Sequence, residues 1–225
     1  MAGGFRRALV IGSSGGIGAA LCAKLAHSGT EVTGLSRSGD GLDVTDGDSV
    51  ALHLGSLEGS FDLIFVATGA LEIGAFGPEK ALHKLDADAL MAQFRLNAVG
   101  PAMVLRHAPR LLPRKGRSVV AALSARVGSI GDNGFGGWYG YRAAKAALNQ
   151  ILHSAAIELT RTHRESICVA LHPGTVETAL TRRYAARHPT VTPDEAAQRL
   201  IGVMTGLTPA QSGGFLDYAG RTIPW

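Results

Sequence analysis

The segment Ala8–Gly18 reads ALVIGSSGGIG, and the prediction of the fold starts from it. Its first four residues are apolar and end at Gly12, which is typical of a short buried strand. The apolar positions beyond the glycines have the spacing of a helix that runs to about Ser28. They are Ile17, Ala20, Leu21 and Leu25. A strand, a glycine-rich turn and a helix are therefore predicted in succession.

Glycines in this context predict a phosphate-binding turn. Glycine lets the backbone turn tightly and approach a pyrophosphate, and the N-terminus of the following helix offers free N–H groups. The spacing is Gly-x-x-x-Gly-x-Gly rather than the common Gly-x-Gly-x-x-Gly. A glycine-rich turn without a ligand is the alternative. The residues expected to contact a dinucleotide here are Gly12, Ser14, Gly16, Ile17 and Gly18.

The second predicted strand, Glu31–Ser36, carries the information on cofactor choice. An acidic residue that would bind a ribose 2′-hydroxyl is missing at its end, and Arg37 follows instead. A guanidinium there can pair with a 2′-phosphate, which favours NADP(H) and leaves NAD(H) possible. The alternative is a surface arginine with no ligand.

Strands and helices are predicted to alternate along the rest of the chain. The further strands are Phe61–Ala67, Ser118–Leu123, Ile167–Leu171 and Phe215–Tyr218. The further helices are Ser49–Leu57, Leu85–Arg110, one that contains Tyr141 and Lys145, and one that opens at Thr192-Pro193-Asp194. This order predicts one α/β domain over residues 1–225, a Rossmann-type, doubly wound parallel sheet with helices on both faces.

Tyr141 and Lys145 stand four residues apart and so share one helix face. A cation beside a phenol favours the phenolate, which predicts a pKa for Tyr141 below its usual value of about 10. Such a tyrosine can act as a general acid or base. The alternative is an accidental pair on a solvated helix.

Asn97 lies at the edge of an apolar stripe on the preceding helix. A polar amide there needs hydrogen-bond partners, which could belong to a functional site or to the local core. Pro101 is expected to kink or break the helix beyond Asn97.

Composition excludes several functional classes. The 225 residues are 46% apolar and 18% charged, which suits one compact domain. No apolar run is long enough to span a bilayer, and the N-terminus does not resemble a signal peptide, so we expect a cytoplasmic protein. The net charge of +4 is scattered rather than striped, which argues against nucleic-acid binding. The eight histidines form no metal-binding motif.

Taken together, the motifs resemble those of the short-chain dehydrogenase/reductase family from about Arg7 to the C-terminus. The matching residues are Gly12-x-x-x-Gly16-Ile17-Gly18, Asp43-Val44, Asn97, Tyr141-x-x-x-Lys145 and Pro173-Gly174-x-Val176-x-Thr178. Within the family, the chain is similar to compact C-factor-like members. The segments that carry this likeness are 125–131, 136–142, 212–220 and 223–225, with the short link between the second and third strands.

The resemblance implies hydride transfer between NADP(H) and a small-molecule carbonyl or alcohol. Tyr141 would exchange a proton with the substrate oxygen, Lys145 would hold the nicotinamide ribose, and Ser124 would orient the substrate oxygen. Asn97 would support a water that relays protons toward Lys145. The remaining cofactor contacts implied by the family are Gly69 and Thr178, with Asp43, Val44, Pro173, Gly174 and Val176.

Two departures from the family pattern affect this site. The usual Asn-Asn-Ala-Gly is here Val66-Ala67-Thr68-Gly69, so only the close backbone approach of Gly69 carries over. In family members with Ser-Ser-x-x-Gly the second serine is catalytic, and Ala125 stands at that place. Ser124 is the preferred substitute, and the alternatives are Ser129 or a weakened step. The glycine-rich loop 128–137 is long, and Trp138 is a candidate wall of the substrate pocket.

Other features leave function and assembly open. The C-factor likeness motivates a second hypothesis, a cofactor-binding signalling or regulatory protein with little turnover. Arg182, Arg183 and Arg187 flank the predicted lid and could favour an anionic substrate, although a solvated lid helix is the alternative. The resemblance further implies a homodimer or homotetramer built on the helices that carry Asn97 and Tyr141.

Overall fold

The computed structural model describes residues 4–178 and 190–225, which form one six-stranded sheet covered by helices. The strand order is β2-β1-β3-β4-β5-β6, and every neighbouring pair is parallel. The predicted Rossmann-type fold is therefore confirmed. The strands are β1 (Arg7–Ile11), β2 (Glu31–Leu35), β3 (Leu63–Val66), β4 (Ser118–Leu123), β5 (Ser166–His172) and β6 (Phe215–Asp217).

Helices connect these strands on both faces of the sheet. They are α1 (Gly16–His27), α2 (Arg37–Asp40), α3 (Gly47–Gly55), α4 (Ala87–Phe94), α5 (Gly100–Leu105), α6 (Ala108–Leu111), α7 (Tyr139–Leu159) and α8 (Pro193–Gly206). Short 3₁₀ turns are formed by Leu82–Lys84, Arg126–Gly128 and Pro209–Gln211, and a π-helical turn by Arg95–Val99. Because the strand order reverses between β1 and β3, a crevice is expected outside their carboxyl ends.

Two apolar layers hold the helices on the sheet. Successive strand residues point to opposite faces, so Val10 and Phe65 pack under α1 and α8 while Ile11 and Val66 pack under α3, α5, α6 and α7. Both faces are buried, which explains why the strands appear in the sequence as continuous apolar runs. Predicted site residues follow the carboxyl ends of the strands: Gly12 after β1, Gly69 after β3, Ser124 after β4 and Pro173 after β5.

The predicted helix over Leu85–Arg110 is confirmed only in part. The segments α4, the π-helical turn and α5 follow one another without a break from Ala87 to Leu105, and a turn at residues 106–107 then separates α6. Pro101 has no N–H and leaves the carbonyl of Asn97 without its usual helical donor. The chain accommodates this before the proline, where the N–H of Gly100 bonds to the carbonyl of Arg95, five residues back. The helix then continues through Pro101 to Leu105 instead of breaking there.

Some element boundaries also differ from the prediction. The strand β2 ends at Leu35 because the hydroxyl of Ser36 accepts the N–H of Gly39 and caps the short helix α2, which the sequence pattern did not predict.

The predicted lid arginines, Arg182, Arg183 and Arg187, lie outside the described residues. Among the residues described, no helix is long and apolar enough to cross a membrane.

Candidate active site

The glycine-rich turn between β1 and α1 has a backbone geometry that side chains at Gly12 and Gly18 would disturb. Gly12 has a φ of +87°, and a Cβ on Gly18 would lie 2.1 Å from the carbonyl oxygen of Gly12. A Cβ on Gly16 would lie 3.0 Å from Cγ2 of Thr178, so the segment after β5 reaches this turn. Ser14 is exposed in the turn, and Ile17 is half-buried in the first turn of α1.

The predicted contacts beyond β2 lie in α2 and in the loop that follows it. Arg37 is exposed at the first position of α2. The carboxylate of Asp43 accepts hydrogen bonds from the N–H (2.8 Å) and hydroxyl (2.7 Å) of Thr45, and these bonds lower its pKa. Val44 is buried in the core beside Gly100. Its side chain therefore supports the loop from inside.

Asn97, Gly69 and Lys145 meet beyond the end of β3. Asn97 is fully buried and binds the backbone of Ala70, whose N–H it accepts at 3.1 Å and whose carbonyl it reaches at 2.9 Å. It also donates to the side chain of Gln93 at 2.7 Å. A Cβ on Gly69 would lie 2.9 Å from Oδ1 of Asn97 and 3.1 Å from Nζ of Lys145. Gly69 therefore packs directly against these two side chains, and its approach to a cofactor stays a prediction.

Lys145 and Tyr141 lie on the buried side of α7, with 2% and 8% of their surfaces exposed. Nζ of Lys145 donates to the carbonyl of Leu123 at 2.8 Å and lies 5.8 Å from the centre of the Tyr141 ring. Burial lowers the pKa of Lys145 to about 7. Burial also raises the pKa of Tyr141 above its usual value. The predicted lowering of the tyrosine pKa is wrong in this structure, because desolvation of the phenolate outweighs the attraction of the nearby cation.

The two candidate serines have different surroundings. Ser124 follows β4, is 4% exposed, and donates its hydroxyl proton to Oδ1 of Asn149 at 2.6 Å. Ser129 donates to the carbonyl of Pro224 and accepts the N–H of Asp132 at 3.0 Å, so it ties the loop to the C-terminal segment. Of the two, Ser124 is the serine at the end of a central strand.

The elements that surround Tyr141 are packed closely on α7. A Cβ on Gly128 would lie 2.8 Å from Cβ of Lys145, so this loop touches the helix backbone. The ring of Trp138 meets the ring of Tyr141 edge-on, with centroids 6.4 Å apart. Trp138 therefore contacts Tyr141, and its role as a wall of the substrate pocket stays a prediction.

The segment after β5 returns across the crevice. Gly174 has a φ of +82°, and a Cβ there would lie 3.0 Å from the ring of Tyr218. Pro173 precedes it and is half-buried. Val176 is buried and forms a parallel bridge with Val191. This path carries the chain from β5 to Thr178 at the glycine-rich turn.

Sequence reasoning missed three residues of this site. Asn149 follows Lys145 by four positions, and Gln93 precedes Asn97 by four, so helical spacing could have indicated both. Glu79 comes from the loop before α4 and binds the N–H of Gly140 at 3.1 Å. No periodicity or motif in the sequence connects it with α7.

Comparisons with known proteins agree with this geometry. A family model described as enoyl-(acyl carrier protein) reductase matches residues 41–205. A 1-hydroxy-2-glutathionyl-2-methyl-3-butene dehydrogenase from Rhodococcus sp. (strain AD45) is 32% identical over 233 aligned residues, which cover 96% of this chain and 98% of that protein. The protein C-signal from Myxococcus xanthus is 34% identical over 168 residues, 71% of this chain and 96% of that protein.

The chain is also similar in its fold to a solved structure. A short-chain dehydrogenase/reductase from Burkholderia multivorans with bound NADP has 25% identity and a TM-score of 0.79, covering 98% of this chain and 100% of that chain. The chain belongs to the short-chain dehydrogenase/reductase family and is an oxidoreductase.

Proposed function

We propose that the protein transfers a hydride between NADP(H) and a small-molecule carbonyl or alcohol, with Tyr141 as the general acid or base. The observation that carries the proposal is the gathering of Tyr141, Lys145, Asn97 and Gly69 beside the carboxyl ends of β3 and β4. In open α/β sheets this is the side on which ligands bind.

The residues present fit a dinucleotide. The left-handed φ of Gly12 and the 2.1 Å that would separate a Cβ on Gly18 from the carbonyl oxygen of Gly12 favour glycine at both positions, and the bare backbone of such a turn can approach a pyrophosphate. No side chain caps the N-terminus of α1, so its N–H groups can receive the phosphates. Asp43, Val44 and the segment from Pro173 to Thr178 are proposed as further contacts, and Thr178 lies beside Gly16 of the turn. When bound, the nicotinamide supplies or accepts the hydride.

Arg37 supports a preference for NADP(H). It is the exposed first residue after the cap of α2, at the end of β2, where a guanidinium can pair with a 2′-phosphate. A titration followed by fluorescence should give tighter binding of NADPH than of NADH, and Arg37→Ala should remove most of the difference. Equal affinity of the unaltered protein for both cofactors would contradict this part of the proposal.

The chain's own residues handle the proton. Tyr141 would donate its proton to the carbonyl oxygen in reduction, since burial keeps the phenol protonated until the substrate oxygen accepts from it. Lys145, with a pKa of about 7, can exchange a proton near neutral pH. Asn97 would support a relay water, because Pro101 leaves its main-chain carbonyl without a helical donor. Ser124 would orient the substrate oxygen by turning its hydroxyl from Asn149.

The test of the chemistry compares two tyrosines on α7. Tyr141→Phe removes the hydroxyl and should abolish NADPH-dependent reduction while cofactor binding stays nearly intact. Tyr139→Phe, two residues earlier on the same helix, is the control and should keep activity. Wild-type activity in the Tyr141→Phe variant would refute the assigned role.

A signalling protein with little turnover is not favoured, since similar proteins are named dehydrogenases and oxidoreductases. A broad panel of aldehydes and ketones with NADPH distinguishes the two functions. Turnover of any member supports the reductase, whereas tight cofactor binding without turnover on the whole panel supports the signalling protein.

We also propose a homodimer or homotetramer that forms through the helices carrying Asn97 and Tyr141. Met91 on α4, Val99 in the π-helical turn that carries Asn97, and Ile157 on α7 are exposed apolar side chains. Light scattering after gel filtration should give a multiple of 23.3 kDa, and a monomer would contradict the proposal.

A further inference from the structure

Glu79 is a buried carboxylate that reaches the first turn of α7 from a distant loop. It lies between β3 and α4, is 7% exposed, and forms no salt bridge with the described residues. Its Oε2 accepts the N–H of Gly140 at 3.1 Å, and its main-chain carbonyl accepts the N–H of Trp138 at 2.5 Å. One residue therefore binds the start of this helix at two points.

The start of α7 has features that need such an outside partner. Gly136, Gly137 and Trp138 have φ values of +64°, +67° and +52°, so the chain enters the helix through three left-handed residues. Trp138 is the one non-glycine residue with positive φ among those described, a conformation that is uncommon for a bulky side chain. The N-cap side chain of α7 forms no capping hydrogen bond, which leaves the first N–H groups to other acceptors.

The packing around Gly140 fits the carboxylate closely. A Cβ on Gly140 would lie 2.8 Å from Oε1 of Glu79 and 3.3 Å from side-chain atoms of Leu90 and Gln93. Oε1 is itself buried and has no hydrogen-bond partner among the described residues. The carboxylate is held by steric fit and by the positive end of the helix, not by a counterion.

We propose that Glu79 is a positioning residue for Tyr141, and this inference rests on the proposed function. Tyr141 directly follows Gly140, so the acceptor oxygen of Glu79 sets where the first turn of α7, and with it the phenol, lies relative to the substrate. The helix is positioned by an acceptor oxygen within hydrogen-bond distance of the Gly140 N–H, and the negative charge of the carboxylate is secondary. Among the described residues, Glu79 forms no hydrogen bond or ion pair with the glycine-rich turn or with the segment after β5, so we expect cofactor binding to be independent of it.

Three substitutions separate these properties. Glu79→Gln keeps an acceptor oxygen at the same reach and removes the charge, whereas Glu79→Asp keeps the charge and withdraws it from Gly140. Glu79→Ala removes both. The main-chain bond to Trp138 remains in all three. Glu58→Ala, which removes an exposed carboxylate, is the matched control.

The measurements are kcat and KM for carbonyl reduction, the NADPH dissociation constant, and amide hydrogen exchange over residues 136–145. We expect Glu79→Asp and Glu79→Ala to lower kcat by about tenfold or more, as for a misplaced catalytic group. We expect Glu79→Gln and Glu58→Ala to stay close to wild type, and NADPH affinity to be unchanged throughout. Exchange at the first turn of α7 should be faster in the Asp and Ala variants alone.

Several results would overturn the inference. Unchanged kcat in Glu79→Asp and Glu79→Ala would do so. A loss in Glu79→Gln as large as that in Glu79→Asp would also do so, because it would show that the charge is needed as well as the reach. If the Glu79→Ala variant fails to fold, the comparison of Glu79→Gln with Glu79→Asp still tests the inference. If the wild-type protein reduces no carbonyl, the proposed function fails, and hydrogen exchange alone decides whether Glu79 holds the first turn.

Discussion

The burial of Lys145 predicts how the stability of the protein depends on pH. Its pKa is lowered to about 7 by burial, whereas a lysine in an unfolded chain titrates near about 10.4. Between these values the unfolded chain binds more protons than the folded one, so the free energy of unfolding rises with pH. Lys145→Met keeps the length of the side chain and removes the titrating group, and the variant should lose this rise.

The magnitude follows from the two pKa values. Between about pH 7.5 and pH 9 the folded lysine is mostly neutral and the unfolded one is still charged, which gives a stability gain of about 2 kcal/mol. With a urea m-value of about 2 kcal/mol/M, this corresponds to a shift of about 1 M in the urea midpoint. Burial raises the pKa of the Cys168 thiol to about 12, so this group lowers the free energy of unfolding as the pH rises. The effect is the same in the wild-type protein and in the Lys145→Met variant.

The assay is urea unfolding followed by tryptophan fluorescence at several pH values in that range, on protein without added cofactor. The quantity compared is the change in stability with pH, not its absolute value, because Lys145→Met also leaves the carbonyl of Leu123 without its donor. Lys115→Met removes an exposed lysine and should keep the wild-type dependence. If Lys145→Met shows the same rise as wild type, Lys145 does not titrate near neutral pH and the reasoning is refuted.

Three further substitutions test the packing of the site by urea unfolding. Asn149→Ala leaves the buried hydroxyl of Ser124 without its acceptor and should cost about 1–3 kcal/mol, and a negligible loss would contradict the bond. Gly18→Ala would place a methyl 2.1 Å from the carbonyl oxygen of Gly12 and should cost at least about 3 kcal/mol, or prevent folding; wild-type stability would rule out this turn geometry. Gly128→Ala should displace the backbone of α7 at Lys145 and cost about 1–3 kcal/mol with a lower kcat, and unchanged kinetics would argue against the close approach.

Much of the candidate site could be predicted because its signals are local. The glycines from Gly12 to Gly18 mark a turn that side chains would obstruct, and the spacing of Tyr141 and Lys145 places both on one helix face. Asn149 carried the same kind of signal, one helical turn beyond Lys145, but was not recognised. The function of these residues remains a proposal that the experiments above can test.

The sequence by itself determined the order of strands and helices, since apolar runs and helical periodicity depend only on neighbouring residues. Tertiary structure alone decided the pKa of Tyr141, because desolvation depends on everything packed around the phenol. It also decided that Ser129 binds the C-terminal segment and that Glu79 binds the start of α7, 61 residues away. Such contacts join segments that no sequence pattern relates, so only the folded chain shows them.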